Sequence, residues 1–262
     1  MTVQDRLVWV TGACSGIGEA LSYELSRRGA DLVLSSNRPD ALEDARQNCD
    51  RPEEHVVQPL DLTEPSTLRD AAEQVHDDVG PVDILVNNAG IGHGGPAAKT
   101  DVDDVRQVME INFFGTIQLT KAVLPLMRAR QAGQIAVVSS IAGKVALPKA
   151  SAYAASKHAV QAWFESLRAE VHDDGVQVTL VCPGFTQTNI ASNAVMADEE
   201  SSEEVAELVE EGMPPAVCAE AVADAVEADT AEMTVAGWEE KLLVYMKRFV
   251  PSLFRGLARR EA

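Results

Sequence analysis

The chain has 262 residues, 46% of them apolar, and its 41 acidic and 22 basic side chains give a formal net charge of −19. This composition predicts a globular protein with a sizeable core, and the negative charge makes nucleic acid a poor partner. No apolar run reaches the roughly 18 residues that a membrane span needs, and no secretory leader is visible, so we expect a cytoplasmic protein without a transmembrane segment. Four scattered cysteines with no C-x-x-C pair predict reduced thiols and no metal site.

The chain begins with the parts of a phosphate-binding turn. Residues 6–10 predict a short strand, residues 11–18 a glycine-rich turn, and residues 17–28 a helix that Gly29 is placed to end. Glycines let the backbone approach a pyrophosphate, and the N-terminus of the following helix attracts its charge. The spacing G-x-x-x-G-x-G differs from the general dinucleotide fingerprint, so an ordinary tight turn is the alternative to a cofactor loop.

Strands and helices then alternate along the chain. Short apolar segments predict strands at residues 31–35, 55–59, 83–87, 134–139, 177–182 and 233–237. Helical patterns lie between them at residues 40–49, 64–79 (with Thr63 as its cap), 101–130 (interrupted near Gly115 and Pro125), 153–171 and 214–227. This alternation predicts an α/β fold: one domain, residues 1–262, with a doubly wound parallel sheet of about seven strands and helices on both faces.

Residues 140–157, between the fifth strand and a long helix, hold the spacing with the most chemical meaning. Tyr153 and Lys157 are four residues apart, so on a helix they share one face. A nearby ammonium favours the phenolate, but lowering a tyrosine pKa from about 10 to about 7 needs roughly 4 kcal/mol. A lysine together with a second positive charge, such as an oxidised nicotinamide ring, could supply this free energy. Taken alone, the spacing also fits an ordinary surface helix.

Together these motifs resemble the short-chain dehydrogenase/reductase family in its standard-length branch. The residues that carry the resemblance are Thr11-Gly-Ala-Cys-Ser-Gly-Ile-Gly18, Asp61, Asn87-Asn-Ala-Gly90, Asn112, Ser140, Tyr153, Lys157 and Pro183-Gly184. The resemblance implies a Rossmann-type fold. It also implies an oxidoreductase that transfers a hydride between a nicotinamide cofactor and a small-molecule ketone, aldehyde or secondary alcohol.

The resemblance implies roles for four catalytic residues. Tyr153 would be the general acid of carbonyl reduction and the base of alcohol oxidation. Lys157 would lower the pKa of Tyr153 and hold the nicotinamide ribose. Ser140 would bond to the substrate oxygen, and Asn112 would kink its helix and hold a water in a proton relay.

The cofactor site that the resemblance implies is larger. Asp61 would bind the adenine edge, Asn88 to Gly90 would line the ribose side, and Thr188 would touch the carboxamide. The complete set is Gly12, Ser15, Gly16, Ile17, Gly18, Ser36, Asn37, Arg38, Asp61, Leu62, Asn88, Ala89, Gly90, Tyr153, Lys157, Pro183, Gly184 and Thr188.

The residues after the second strand indicate which nicotinamide cofactor is preferred. An NAD site usually places a carboxylate there, to accept from the ribose hydroxyls. This chain has the neutral Ser36 and Asn37, followed by Arg38, whose guanidinium can bind a 2′-phosphate. NADP is therefore the expected cofactor. Because a single arginine carries the preference, use of NAD stays open.

The C-terminal third follows a less fixed pattern. Residues 189–232 form an acidic region, with loosely helical residues 191–213 where the family places its substrate lid, and then a further helix. Residues 238–262 form a basic amphipathic tail, broken by Pro251. We expect the tail to pack on the acidic body or on a neighbouring subunit, with a membrane surface as the alternative. The resemblance implies a homodimer or homotetramer.

Several residues have two interpretations, and so has the whole chain. We expect His158 to pack rather than catalyse and Cys14 to be a small filler, while His93 could face the substrate. The rival functions are a catalytically silent nucleotide-sensing protein and a peripheral membrane protein on the same fold. The intact set of Asn112, Ser140, Tyr153 and Lys157 favours the enzyme.

The charge surplus predicts a dependence of stability on salt. Forty-one acidic residues against 22 basic ones repel one another in dilute buffer. In 1 M salt the Debye length falls to about 3 Å, which screens that repulsion. We expect the melting temperature to rise between low and molar potassium chloride, as suits a saline cytoplasm. A melting temperature that stayed flat or fell with salt would contradict this.

Overall fold

A parallel sheet of short apolar strands lies at the centre of the structure. The computed structural model describes residues 2–190, 194–196 and 198–259. Within them the strands are β1 (Leu7–Thr11), β2 (Asp31–Ser35), β3 (Val56–Val57), β4 (Ile84–Asn87), β5 (His93–Gly94), β6 (Gly133–Val138), β7 (Val176–Pro183), β8 (Val195–Met196) and β9 (Glu232–Val235). Seven of them form the main sheet in the order β3-β2-β1-β4-β6-β7-β9, and β5 pairs with β8 beside it.

Ten α-helices are found in the described residues, most of them packed against this sheet. They are α1 (Gly16–Arg27), α2 (Pro39–Gln47), α3 (Pro65–Asp78), α4 (Val102–Met109), α5 (Thr116–Arg130), α6 (Ser151–Glu170), α7 (Glu199–Glu210), α8 (Pro215–Glu227), α9 (Trp238–Phe249) and α10 (Pro251–Ala258). A π-helical turn, Glu110–Gly115, joins α4 to α5. In the described part of the chain, no helix has the length and apolarity to cross a bilayer.

Alternation along the strands builds a core on each face of the sheet. Successive side chains of a strand point to opposite faces. Val8 and Val10 therefore pack under α1 and α8, whereas Trp9 between them packs with buried residues of α3, α5 and α6. Both faces are covered, which is why the strands are apolar at nearly every position. The doubly wound, Rossmann-type architecture predicted from the sequence is confirmed.

The strand order fixes where a ligand can bind. From β1 the chain winds outward to β3, then returns to the middle at β4 and winds the other way to β9. β1 and β4 are adjacent and in register, with Val8 opposite Ile84 and Val10 opposite Val86. The chain leaves β1 towards one edge of the sheet and leaves β4 towards the other edge. These diverging connections leave a crevice at the carboxyl ends of β1 and β4.

Besides small shifts at the ends of other elements, the following local predictions differ from the structure. The third strand is only Val56–Val57, not residues 55–59. Pro125 lies inside α5 and does not interrupt it, whereas the break near Gly115 is the π-helical turn. Thr63 does not cap α3, because its hydroxyl donates to the Asp61 Oδ1 atom at 2.7 Å and Glu64 holds the capping position. The last strand, Glu232–Val235, begins one residue earlier and ends two residues earlier than predicted.

Candidate active site

A cavity of about 740 Å³ opens at the carboxyl ends of β1, β4, β6 and β7. Most of the predicted site residues line it: Gly12, Ser15, Gly16, Ile17, Asn88, Ala89, Gly90, Ser140, Tyr153, Lys157, Pro183, Gly184 and Thr188. Other predicted residues lie outside its lining, namely Gly18, Ser36, Asn37, Arg38, Asp61, Leu62 and Asn112. Residues from four strands and from α6, far apart in sequence, therefore meet in one place.

The glycine-rich turn is shaped by packing as well as by backbone conformation. Gly12 and Gly16 have φ of +66° and +57°, a region that side chains with a Cβ rarely adopt. At Gly18 a Cβ would lie 2.2 Å from the Gly12 carbonyl oxygen and 2.4 Å from Asn88 Nδ2. The turn thus brings the N-terminus of α1 close against the end of β4, with Ser15, Gly16 and Ile17 facing the cavity.

Hydrogen bonds hold the ends of β1 and β4 together behind this turn. The Thr11 hydroxyl accepts from the backbone N–H groups of Asn88, at 3.0 Å, and Ala89, at 3.1 Å. Asn88 Nδ2 in turn donates to the Thr11 carbonyl at 3.0 Å. The Asn88 side chain therefore stabilises the turn. Asn88, Ala89 and Gly90 line the cavity.

Ser140, Tyr153 and Lys157 converge on the same side of the cavity. Ser140 follows β6, and α6 begins at Ser151, so Tyr153 and Lys157 lie on its first two turns. The Ser140 hydroxyl bonds to the Tyr153 phenol. Lys157 Nζ lies 5.7 Å from the centroid of the Tyr153 ring and donates to the Val138 carbonyl at 3.1 Å.

Burial controls the pKa values of both α6 side chains. It raises the pKa of Tyr153, and the hydrogen bond from Ser140 opposes this. Burial lowers the pKa of Lys157 to about 8. The expected lowering of the tyrosine pKa by Lys157 is therefore not found in the protein alone, because desolvation of the phenolate outweighs the other effects. Because its pKa is raised above the usual value, the phenol is protonated at neutral pH.

Asn112 fixes the geometry behind these residues. It is buried in the π-helical turn, and its Oδ1 accepts from Ile91 N at 2.8 Å. Its Nδ2 donates to the Ile91 carbonyl at 2.9 Å and to the Ser156 hydroxyl at 3.0 Å. The irregular helix expected at Asn112 is present. Both amide protons are taken by protein partners, so the side chain has no proton left to donate to a relay water.

Arg38 lies against the outer side of the glycine-rich turn. Its Nη2 atom is 3.2 Å from the Cys14 sulfur, and its backbone N–H donates to the Ser36 hydroxyl at 3.0 Å. Cys14, expected as a filler, thus also contacts the guanidinium. Asp61 lies nearby, where its Oδ1 accepts from Thr63 N and leaves Oδ2 for another donor.

Several residues that line the cavity were not predicted as site residues from the sequence. Val145, Leu147, Val205, Leu208, Val209, Leu243, Phe254, Leu257 and Ala258 form an apolar wall, in which the last four come from the tail. The amphipathic pattern of the tail was visible, but not the surface that it covers. His93, flagged in the sequence, lines the cavity, and within the described residues neither ring nitrogen has a hydrogen-bond partner.

The tail packs on the body of its own chain, but not through ion pairs. Lys247 Nζ donates to the Lys144 carbonyl at 2.7 Å and lies 3.1 Å from His158 Nε2. The other ring nitrogen of His158 bonds to the Ala154 carbonyl at 2.8 Å, which agrees with the packing role expected for this histidine. In residues 238–259, no cation forms an ion pair with a described carboxylate.

The structure gives no geometric sign of a metal site. Across residues 2–190, 194–196 and 198–259, no cluster of three or more His, Cys, Asp or Glu side chains could hold a metal ion.

The buried Lys157 generates a prediction about stability and pH. A lysine whose folded pKa is about 8 destabilises the native state while it is charged, and this cost disappears as pH rises from about 8 towards 10.5. We expect Lys157→Met to be more stable than the wild type at pH 7, by up to about 3 kcal/mol, with a smaller difference at pH 10. Urea unfolding at both pH values measures this.

The exposed Lys121 on α5 provides the matched control, since Lys121→Met should leave the free energy of unfolding almost unchanged at either pH. If Lys157→Met were instead less stable by the same amount at both pH values, its bond to Val138 would outweigh the cost of burying the charge.

Comparison with known proteins agrees with this geometry. The family model described as short chain dehydrogenase matches residues 6–199. The chain is 39% identical over 257 residues to Dehydrogenase/reductase SDR family member 7B of Mus musculus, covering 96% of this chain and 80% of that protein.

Solved structures show the same fold. A short chain dehydrogenase of Burkholderia cenocepacia in complex with NADP has a TM-score of 0.82 and 25% identity, over 98% of this chain and 99% of that one. A Burkholderia phymatum short chain dehydrogenase/reductase in complex with NAD has a TM-score of 0.87 and 22% identity, over 97% and 96%. With its cavity, its motifs and its relatives in agreement, the chain belongs to the short-chain dehydrogenase/reductase family of oxidoreductases.

Proposed function

We propose that this oxidoreductase interconverts a ketone or aldehyde and the matching secondary or primary alcohol with NADP(H), using Tyr153 as its general acid and base. The observation that carries the proposal is the convergence of Ser140, Tyr153 and Lys157 on the cavity that the glycine-rich turn also lines. A site for proton transfer and a cradle for a dinucleotide thus share one space.

The residues around the turn fit a nicotinamide dinucleotide. The N-terminus of α1 faces the cavity, and the Ser15 side chain makes no capping bond there, so N–H groups of the first turn are left for a pyrophosphate. Asn88 to Gly90 and Thr188 would hold the ribose and carboxamide, and Lys157 would reach the nicotinamide ribose. When bound, such a cofactor supplies or accepts the hydride.

Proton transfer then falls to Tyr153. Reduction of a carbonyl leaves an oxygen that needs a proton, and the protonated phenol can donate one at that atom. The Ser140 hydroxyl, already bonded to Tyr153, can donate a hydrogen bond to the same oxygen. The ammonium of Lys157, beside the ring, stabilises the phenolate that remains. For alcohol oxidation the same phenolate would be the base.

Arg38 supports NADP as the preferred cofactor. It is exposed at the end of β2, beside the glycine-rich turn, where no carboxylate stands among Ser36, Asn37 and Arg38. One of the similar solved structures is bound to NADP and another to NAD, so both cofactors are compatible with the fold.

The assembly and compartment belong to the same proposal. We infer a homodimer or homotetramer, and a cytoplasmic location. The assembly is supported by α9, on which Trp238, Tyr245 and Phe249 are 73%, 62% and 75% exposed. Apolar area of this kind is usually covered in an assembly. Contact with a membrane surface is the alternative that the same side chains would allow.

The role of Tyr153 can be tested by removing one hydroxyl. We expect Tyr153→Phe to lower kcat for carbonyl reduction by about 10²–10⁴-fold, with cofactor affinity almost unchanged, since the hydroxyl acts on the substrate oxygen. Stopped-flow NADPH oxidation and a fluorescence titration of NADPH measure the two quantities. Tyr245→Phe, on the exposed face of α9, should behave as the wild type. Retention of more than about a tenth of the rate would remove Tyr153 from its assigned role.

Cofactor choice can be tested at Arg38. A charge-assisted hydrogen bond from Arg38 to a 2′-phosphate contributes roughly 1.5–3 kcal/mol, or about 10- to 150-fold in affinity. We expect wild type to bind NADP more tightly than NAD, and Arg38→Ala to lose most of that difference while its Kd for NAD changes little. Calorimetric titration of both cofactors measures the four constants.

Arg69 on α3 is an equally exposed arginine on another face, so Arg69→Ala serves as the control. Equal affinities of the wild type for both cofactors, or a preference that survives Arg38→Ala, would show that Arg38 does not meet the phosphate.

A further inference from the structure

The cavity extends beyond the catalytic side chains into an apolar chamber between the lid region and the tail. The loop after β6, the helix α7, α9 and α10 contribute its walls, through Val145, Leu147, Val205, Leu208, Val209, Leu243, Phe254, Leu257 and Ala258. All of these side chains are hydrocarbon, and they come from four separate segments. A chamber of this composition favours hydrocarbon over polar groups.

The tail is held in place by specific bonds at two points. Lys247 bonds to the Lys144 carbonyl, in the loop between Ser140 and α6. Glu240 accepts from the Phe185 N–H at 2.8 Å, directly after the Pro183-Gly184 wall of the cofactor site. Both anchors therefore attach the tail to segments that carry residues of the catalytic site.

Phe254 is the side chain that this arrangement buries. It is 8% exposed, although its neighbour Leu253 is 60% exposed and Phe249, one helix earlier, is 75% exposed. Phe254 and Leu257 are three residues apart on α10, so they face the same way, towards the cavity. Leu253 does not line the cavity.

Two charged side chains, one on α7 and one directly after it, line the cavity, and both are carboxylates. They are Glu207 and Glu211. In the described residues no tail cation lines the cavity, and the lysines that line it are Lys149, in the loop before α6, and Lys157. An anionic group beside Glu207 and Glu211 would be repelled by their carboxylates. A neutral hydrocarbon avoids this repulsion.

We propose that the substrate is a ketone or secondary alcohol with a long, neutral apolar arm, and that Phe254 and Leu257 determine this specificity by forming the wall against which the arm lies. The inference rests on the proposed function, since it takes the reacting oxygen to be at Ser140 and Tyr153. With the oxygen there, the apolar chamber is the part of the cavity left for the rest of the substrate.

The test compares methyl ketones of increasing length on matched variants. For wild type we expect kcat/KM with NADPH to rise steeply from butanone through octanone to dodecanone. Phe254→Ala should lower kcat/KM for dodecanone by about tenfold or more, through KM, and change that for butanone by less than about twofold. Leu253→Ala, which removes a neighbouring side chain on the exposed face, should leave both values unchanged. A ketone of the same length with a terminal carboxylate should react more slowly than dodecanone.

Two measurements distinguish a folding defect of Phe254→Ala from a change in specificity. They are the pattern of rates across the ketones and the shift in melting temperature with dodecanol. Loss of folding would lower the rates for all ketones together, so Leu257→Ala is measured in parallel, with circular dichroism for each variant. Dodecanol should raise the melting temperature of wild type and raise it less for either tail variant, which needs no turnover.

Each outcome decides one claim. If wild type reduced butanone as well as dodecanone, or if Phe254→Ala, while folded, lowered both rates equally, the apolar-arm inference would be overturned while the proposed function stood. If no ketone or alcohol reacted but dodecanol still stabilised wild type through Phe254, the proposed function would fail and the chamber would remain. Equal rates for the carboxylate-bearing ketone would overturn the neutral character of the arm.

Discussion

The buried ammonium of Lys157 is the constraint on which the catalytic geometry depends. Its bond to the Val138 carbonyl fixes α6 to the end of β6, so that Tyr153 lies beside Ser140. Burying a charge is costly, and the pKa of about 8 shows that the protein bears this cost. In the proposed function, this cation stabilises the phenolate of Tyr153.

A second set of bonds gives that geometry a rigid base. Asn112 holds the backbone of Ile91 from both sides and reaches Ser156 on α6, one residue before Lys157. At Gly90, a Cβ would lie 2.9 Å from Asn112 Oδ1, so this part of the cavity wall packs directly on Asn112. The π-helical turn places Asn112 where these contacts are possible. Asn112 therefore connects the π-helical turn to α6 and to the backbone of Ile91.

The contacts of the tail differ from those that its surface charge predicts. Its basic residues follow a long acidic stretch, which predicts attraction between the two. In the described residues it is instead held by Lys247 on neutral acceptors, by Glu240 on backbone N–H groups, and by apolar contact of Phe254. Exposed ion pairs contribute little in water, whereas buried apolar area and satisfied backbone groups contribute more. The surplus of acidic side chains therefore does not hold the described part of the tail in place.

The alternation of strands and helices, the glycine-rich turn and the spacing of Tyr153 and Lys157 could all be predicted from the amino-acid pattern, because they depend on local periodicity and on neighbours along the chain. Most of the site residues predicted from the sequence line the cavity. The hydrogen bonds of Asn112, the raised pKa of Tyr153 and the position of Phe254 in the cavity lining became visible only in the folded chain. These properties depend on groups that are distant in sequence, and a pattern along one chain cannot show which buried surfaces meet.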